Sequence, residues 1–173
     1  MNVINVHERD LRADPHDVGA LIDTLASAND RLWPHEDWPR MKFDRPLAVG
    51  ARGGHGPIRY FVEAYAPGSF IRFRFTGPRG LEGTHGLYVL PGPQGTIRLR
   101  HSLEITPRGL ARFSWPLAYR WLHDALVEDA LTKAEAALGL APRRQAWSPY
   151  VRFLRWLAAR GVLRLRIPRA GPA

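Results

Sequence analysis

The sequence contains no cysteine, so it has no disulfide framework, and any metal site would have to do without thiolate ligands. The absence leaves the redox compartment undetermined. Lysine is almost missing too: of 25 basic residues only Lys42 and Lys133 are lysines. So uniform a preference for arginine reads as a GC-rich genome before it reads as a function. No apolar run approaches the ~20 residues of a membrane span. The opening Met-Asn-Val-Ile-Asn-Val-His-Glu-Arg-Asp has no basic-then-apolar leader. The expectation is a soluble, cytoplasmic protein, possessed of a basic tail that could lie on a membrane.

Acidic residues are absent from one whole region. Residues 143–173 hold eight arginines and no aspartate or glutamate. Residues 1–142 hold 17 basic and all 16 acidic residues, so the net charge of +9 belongs mainly to the tail. A chain of 173 residues fits one domain able to bury roughly 70% of its unfolded surface. We therefore divide the sequence into a domain at 1–142 and a basic amphipathic extension at 143–173.

The pattern along the chain is mixed. Val3 to Leu11 suits a strand. Asp14-Pro15-His16-Asp17 opens a helix whose stripe is Val18, Leu21, Ile22 and Leu25, ended by Ser27 to Asp30. Prolines 34, 39 and 46 forbid a long helix, so Arg31 to Arg45 reads as an ordered loop or a short helical turn. Strands follow at Leu47–Ala51, Ile58–Tyr65, Phe70–Phe75, Leu81–Leu90 and Thr96–Thr106, joined by glycine- and proline-rich turns. One side of these strands is apolar and the other rich in arginine. Pairing across the second turn places Phe61 opposite Arg74 and Glu63 opposite Arg72, giving an ion pair and a cation–π contact. Ser114 to Leu138 is a long helix, stopped by Gly139, with Leu122, Ala125, Leu126, Ala130, Ala134 and Ala137 on its broad apolar face. That face must bury against the sheet.

This order of elements resembles the helix-grip fold of the SRPBCC superfamily, which includes START lipid-transfer domains, pollen-type proteins and bacterial polyketide cyclases. Ala51-Arg-Gly-Gly-His-Gly56 is similar to the glycine-rich loop of the pollen-type proteins, which usually have glycine where this chain has Ala51. Gly80-Leu-Glu-Gly-Thr-His85 with Thr96-Ile-Arg-Leu-Arg-His101 resembles paired strands of cyclase-like members. The resemblance covers residues 2 to 139. It implies an α+β fold, a curved antiparallel sheet wrapped around a long C-terminal helix. It also implies a cavity for a small hydrophobic molecule or lipid, and no cofactor. No catalytic set is carried over.

Several residues are candidates for chemistry. Pairing Val89 with Ile97 sets His85 opposite His101 on the concave side, where imidazoles can shuttle protons. His123 and Asp129 on the helix face the same space. Tyr60, Phe73 and Trp121 are candidate lining residues, and Arg52 and His55 would flank the cavity mouth. The glycine loop lacks a Gly-Lys-Ser/Thr ending and precedes a strand, so a tight structural connection is the better reading. Histidine spacing is unspecific and no metal site is assigned. From Ser148 to Gly161 the tail reads as an amphipathic helix, whose apolar face would dock on the domain or on a second copy. Residues 148–167 could alternatively meet an anionic membrane. No recognition fold accompanies the basic charge, so specific nucleic-acid binding is not expected. The leading function is binding of a small hydrophobic ligand. The alternatives are a cyclase or dehydratase using His85 and His101 as acid and base, and a peripheral lipid-handling protein.

Overall fold

A computed structural model describes residues 2–160. Seven antiparallel strands form one sheet in the order β1-β7-β6-β5-β4-β3-β2. They are β1 (Val3–Leu11), β2 (Lys42–Phe43), β3 (Arg52–His55), β4 (Ile58–Ala66), β5 (Phe70–Gly77), β6 (Leu81–Pro91) and β7 (Ile97–Pro107). Helix α1 (Pro15–Asp23) follows β1, and α2 (Ala111–Ser114), α3 (Arg120–Ala137) and α4 (Pro149–Ala159) follow the sheet. This is the α+β helix-grip architecture, in which the long helix lies in the concave side of the sheet.

The core is where alternation puts it. Tyr60, Val62, Ile71, Phe73 and Leu99 are inward strand residues, packed with Leu126, Val127, Leu131 and Ala134 of α3. The buried stripe of α3 is thus turned from the expected one: Val127 and Leu131 are central, while Leu122 and Ala125 are only partly buried. Helix α1 adds Val18, Leu21 and Ile22, with Asp14 capping its N-terminus. It ends at Asp23, earlier than expected. The chain then turns over Asp30, whose buried carboxylate accepts the N–H groups of Ala26, Leu32 and Trp33.

Three other expectations are corrected. Leu47–Ala51 is not a strand; β2 and β3 flank it instead, because Gly53 and Gly54 let three backbones crowd together. A Cβ on Gly53 would sit 2.0 Å from the Lys42 carbonyl oxygen, and one on Gly54 1.9 Å from that of Ile58. The long helix begins earlier and is interrupted: Trp115–Tyr119 forms a wider π turn, with the Arg120 N–H reaching the Trp115 carbonyl. Pro116 has no N–H to give and its ring crowds the preceding turn, which explains the widening. In β4 and β5, Phe61 pairs with Arg74, but a bulge at Glu63 places Ala64 opposite Arg72. The bulged Glu63 carboxylate takes both Arg72 and Arg74, so the Arg74 guanidinium turns to the acid rather than to the ring.

The extension is tied to the domain as far as it is described. Ser148 caps α4, whose Val151 and Leu154 are buried. Arg143 meets Glu135, and Tyr150 donates to the Leu117 carbonyl. Docking on the domain is therefore what α4 does; the expected alternation at 162–167 lies outside the described residues.

Candidate functional site

Strands β6 and β7 bring two imidazoles into the interior. Their register is Val89 with Leu99, which places His85 opposite Leu103 and His101 opposite Leu87. The expected direct pairing of His85 with His101 is off by two residues. The connecting turn winds tightly around Pro93–Gly95, with the Thr96 N–H on the Pro93 carbonyl, and closes at Pro91 and Ile97. A slip of two leaves every side chain on its own face. Both histidines thus remain inside, diagonal to one another, with His85 Nδ1 3.4 Å from His101 Nε2.

The pair belongs to a longer line. At the glycine-rich hairpin, His55 Nδ1 is 3.0 Å from the Tyr60 hydroxyl. Tyr60 lies edge-on to His85 at 4.9 Å between centroids, and Phe73 and Phe75 close around the His85 ring. His101 is followed by His123 of α3 at 5.0 Å, with Trp115 against its other side. His123 Nδ1 is 3.3 Å from Asp124, Asp124 is 3.2 Å from His7 Nε2, and His7 Nδ1 is 2.8 Å from Glu128. Five of the seven histidines therefore mark a route from β3 to β1 beneath the helix.

The two ends of this line differ in charge. Burial lowers the pKa of His55 to about 3, and it lowers His85, His101 and His123 as well, so these rings are neutral at neutral pH. Burial alone would lower His7 too, but hydrogen bonds and charge from Asp124 and Glu128 raise it to about 9. His7 is thus an imidazolium between two carboxylates. Burial would raise Asp124, yet His123 and His7 hold it below its ordinary value.

Three imidazole nitrogens, His85 Nε2, His101 Nδ1 and His123 Nε2, are buried without a hydrogen-bond partner among the described residues. Buried polar atoms of folded proteins are nearly always paired, so three orphans on adjacent rings are a departure that calls for a reason. Tyr60 and Phe73 are almost wholly buried beside them.

Two clefts lie at the ends of the line. One, of about 330 Å³, is lined by Arg40, Lys42, Gly53, Gly54, His55, Gly56 and Arg59. His55 is its inner wall, and three cations surround it. Arg52 stands apart, exposed, with its backbone N–H on Asp44. The second, of about 240 Å³, is lined by Val3, Ile4, Asn5, Trp115, Pro116 and Arg120.

Other candidates have different surroundings. Asp129 accepts from the indole N–H groups of Trp38 at 2.7 Å and Trp147 at 2.8 Å, which binds it to the loop and the extension rather than to the histidines. Trp121 is 44% exposed and packs edge-on against Tyr150 of α4. Sequence reasoning passed over His7, Asp124 and Glu128. The available signal was β1 itself, where Asn5, His7 and Arg9 alternate with the apolar Ile4 and Val6.

His7, His123 and Asp124 offer ligand atoms all within 4.8 Å of one another, close enough to hold a cation. Their present geometry already satisfies the carboxylate: Asp124 Oδ1 meets Asn5 Nδ2 at 2.9 Å along with both imidazoles. A metal there would have to displace the His7 proton, which Glu128 and Asp124 hold firmly.

No protein-family model matches the sequence, and no curated protein matches it. Solved structures do. Truncated norcoclaurine synthase from Thalictrum flavum superposes with a TM-score of 0.60 at 14% identity, over 82% of this chain and 96% of that one. A protein from Nitrosospira multiformis gives 0.55 at 18% identity, over 80% and 96%. The di-domain ARO/CYC protein StfQ from the steffimycin biosynthetic pathway gives 0.59 at 13% identity, over 80% of this chain and 51% of its own. The chain has the helix-grip fold. At these identities the likeness establishes the fold alone. Among the described residues no helix is long and apolar enough to cross a membrane.

Proposed function

We infer that this helix-grip protein binds a small, largely apolar molecule carrying polar or acidic groups, held between the sheet and α3. The observation that supports the reading is the set of three unpartnered imidazole nitrogens within an aromatic shell. Aromatic walls favour an apolar body, and orphan nitrogens favour a molecule that can hydrogen-bond to it at fixed points. His85, His101 and His123 are the polar contacts, Tyr60 and Phe73 the walls. Arg40, Lys42 and Arg59 give the mouth beside His55 a preference for an acidic end. Asp129 and Trp121 take no part.

A titration with anilinonaphthalene sulfonate, an anionic aromatic probe, tests this. Saturable one-to-one binding is expected, weakened roughly tenfold or more by joint His85→Leu and His101→Leu substitution, which removes at least one hydrogen bond from the bound probe. Equal affinity in the folded variant would overturn the site.

The second reading is an enzyme that moves a proton on an enolisable ligand, as in a cyclase or dehydratase. It is favoured by the 3.4 Å approach of His85 Nδ1 to His101 Nε2, and by burial keeping both rings neutral, so that one can accept a proton while the other donates. Norcoclaurine synthase and the ARO/CYC protein StfQ share the fold, and both names denote biosynthetic proteins. Deuterium uptake from solvent at the acidic carbon of a bound aromatic β-diketone is the expected activity. Binding of the diketone without accelerated uptake would remove the enzyme reading and leave the binding one.

A further inference from the structure

Most of the exposed large apolar side chains gather in one place. Leu110 is 79% exposed and Phe113 67%; Leu117 and Trp121 continue the line at steps of three, four and four residues through the π turn into α3. Such spacing sets all four on one side of an almost continuous helical segment. Helix α4 lies beside them: its Tyr150 hydroxyl donates to the Leu117 carbonyl and its ring meets Trp121. Phe153 and Trp156, also exposed, stack on each other one turn further along. Among the described residues, seven of the ten exposed large apolar side chains belong to this patch. Single exposed apolar residues need no explanation, but a contiguous group of this kind marks a contact surface.

The charge around the patch says what would cover it. No acidic residue occurs from Ile105 to His123 or from Ala136 to Arg160. Those two segments carry Arg108, Arg112, Arg120, Arg143, Arg144, Arg152, Arg155 and Arg160. Some have partners: Arg108 meets Glu82, Arg120 meets Asp124, Arg143 meets Glu135, and Arg155 lies on the rings of Trp38 and Trp147. Arg112 and Arg152 are exposed, and the guanidinium of Arg160 lies 4.0 Å from the Trp156 ring. A second copy of this chain would bring one arginine-rich rim against another, which like charge disfavours. An anionic bilayer complements both features, since apolar side chains enter the acyl boundary while tryptophan, tyrosine and arginine sit at the headgroups.

We propose that this surface, built from α2, the π turn, the start of α3 and the outer side of α4, docks the protein on anionic membranes. The cleft lined by Ile4, Asn5, Trp115, Pro116 and Arg120 borders the patch, and its Trp115 wall packs on its inner side against His123. The proposal is independent of the ligand reading, because it rests on the outer surface alone.

Flotation of the full chain with vesicles decides it. Partitioning onto phosphatidylcholine vesicles containing phosphatidylserine is expected, with little onto phosphatidylcholine alone and less at high salt. Leu110→Ser with Phe113→Ser should cut the bound fraction roughly tenfold while the melting curve stays in place, since both side chains are exposed. Equal flotation of wild type and variant would place binding in the tail or elsewhere and overturn the proposal. So would failure to float on anionic vesicles, concentration-dependent dimerisation abolished by the same variant, or binding to single-stranded nucleic acid through the same residues.

Discussion

Along its C-terminal half, α3 commits its polar groups to the rest of the fold. Asp129 holds two indoles, Lys133 reaches the Trp33 carbonyl and Glu36, Glu135 takes the backbone and guanidinium of Arg143, and the Ala137 carbonyl accepts from Arg31. Along its N-terminal half Asp124 and Glu128 are paired too, with Asn5, His7 and Arg9, but there the helix also carries and faces orphan imidazole nitrogens, follows a widened turn and leaves an apolar stripe in solvent. Buried polar groups satisfied within the protein fasten it; buried polar groups left unsatisfied cost stability, and under the function proposed above they are kept for a ligand. Under that proposal one element serves as an anchor at one end and as a wall of the site at the other.

The pH dependence of stability should set the two ends apart most strongly. His55, His85, His101 and His123 are neutral when folded and have an ordinary value of 6.5 when unfolded. Below that value the unfolded chain binds more protons, so His55, His85 and His101 each remove about 1.4 kcal/mol per pH unit of acidification, and His123 acts in the same direction. His7 has the opposite sign. Its contribution is complete below 6.5 and is lost as the pH rises through about 9. Asp124 and Glu128, held below their ordinary values, contribute a further loss in the carboxylate range. Urea midpoints should therefore peak above pH 6.5 and fall on both sides. A flat profile down to pH 5 would show that the inner rings are solvated and the contrast between the two halves is false.

Removing the anchor comes next in size. Asp129→Ala leaves the indole N–H groups of Trp38 and Trp147 without their acceptor and should cost about 2–4 kcal/mol in urea unfolding. Affinity for the aromatic probe should stay as in wild type, because the carboxylate is not among the histidines. A loss of probe affinity in the folded variant would join the two halves into one site.

The fold was legible in the sequence because its signals are local. Strict alternation in Phe70–Phe75 and Thr96–Thr106, Pro15 after the Asp14 cap, and Gly139 after the long helix each follow from a few neighbouring residues. The inward placement of His85 and His101 survived a register slip of two for the same reason, since parity fixes the face. The charged end of the site was not legible. His7 and the helix carboxylates lie 117 and 121 residues apart, and β1 inverts the usual rule by turning Asn5, His7 and Arg9 inward and Ile4 outward. An alternating strand specifies two faces without saying which one is covered. That choice is made by Asp124, Glu128 and Glu135 on α3, which can pair only with polar residues. Asp129 was misplaced because helical periodicity gave its direction but not the two tryptophans that converge on it.

The smallest change in stability should come from the interior itself. His85→Leu with His101→Leu removes both members of the 3.4 Å contact and two of the orphan nitrogens, at nearly conserved volume. Nothing polar is then left behind by the loss of a partner, which is the circumstance in which deleting buried polar groups is close to neutral or stabilising. The expected change at neutral pH is within about 1 kcal/mol of zero, with a gain as acceptable as a loss. Below pH 6.5 the double variant should lose stability less steeply than wild type, because two imidazoles no longer demand protons on unfolding. Set beside Asp129→Ala, the pair of outcomes separates the two uses of buried polarity: a large loss of stability with binding retained at the anchor, and little change in stability with binding lost at the wall. A destabilisation of about 3 kcal/mol or more in the double variant would show instead that these rings are structural, satisfied by water the fold depends on, and would return the N-terminal half of α3 to the role of its other end.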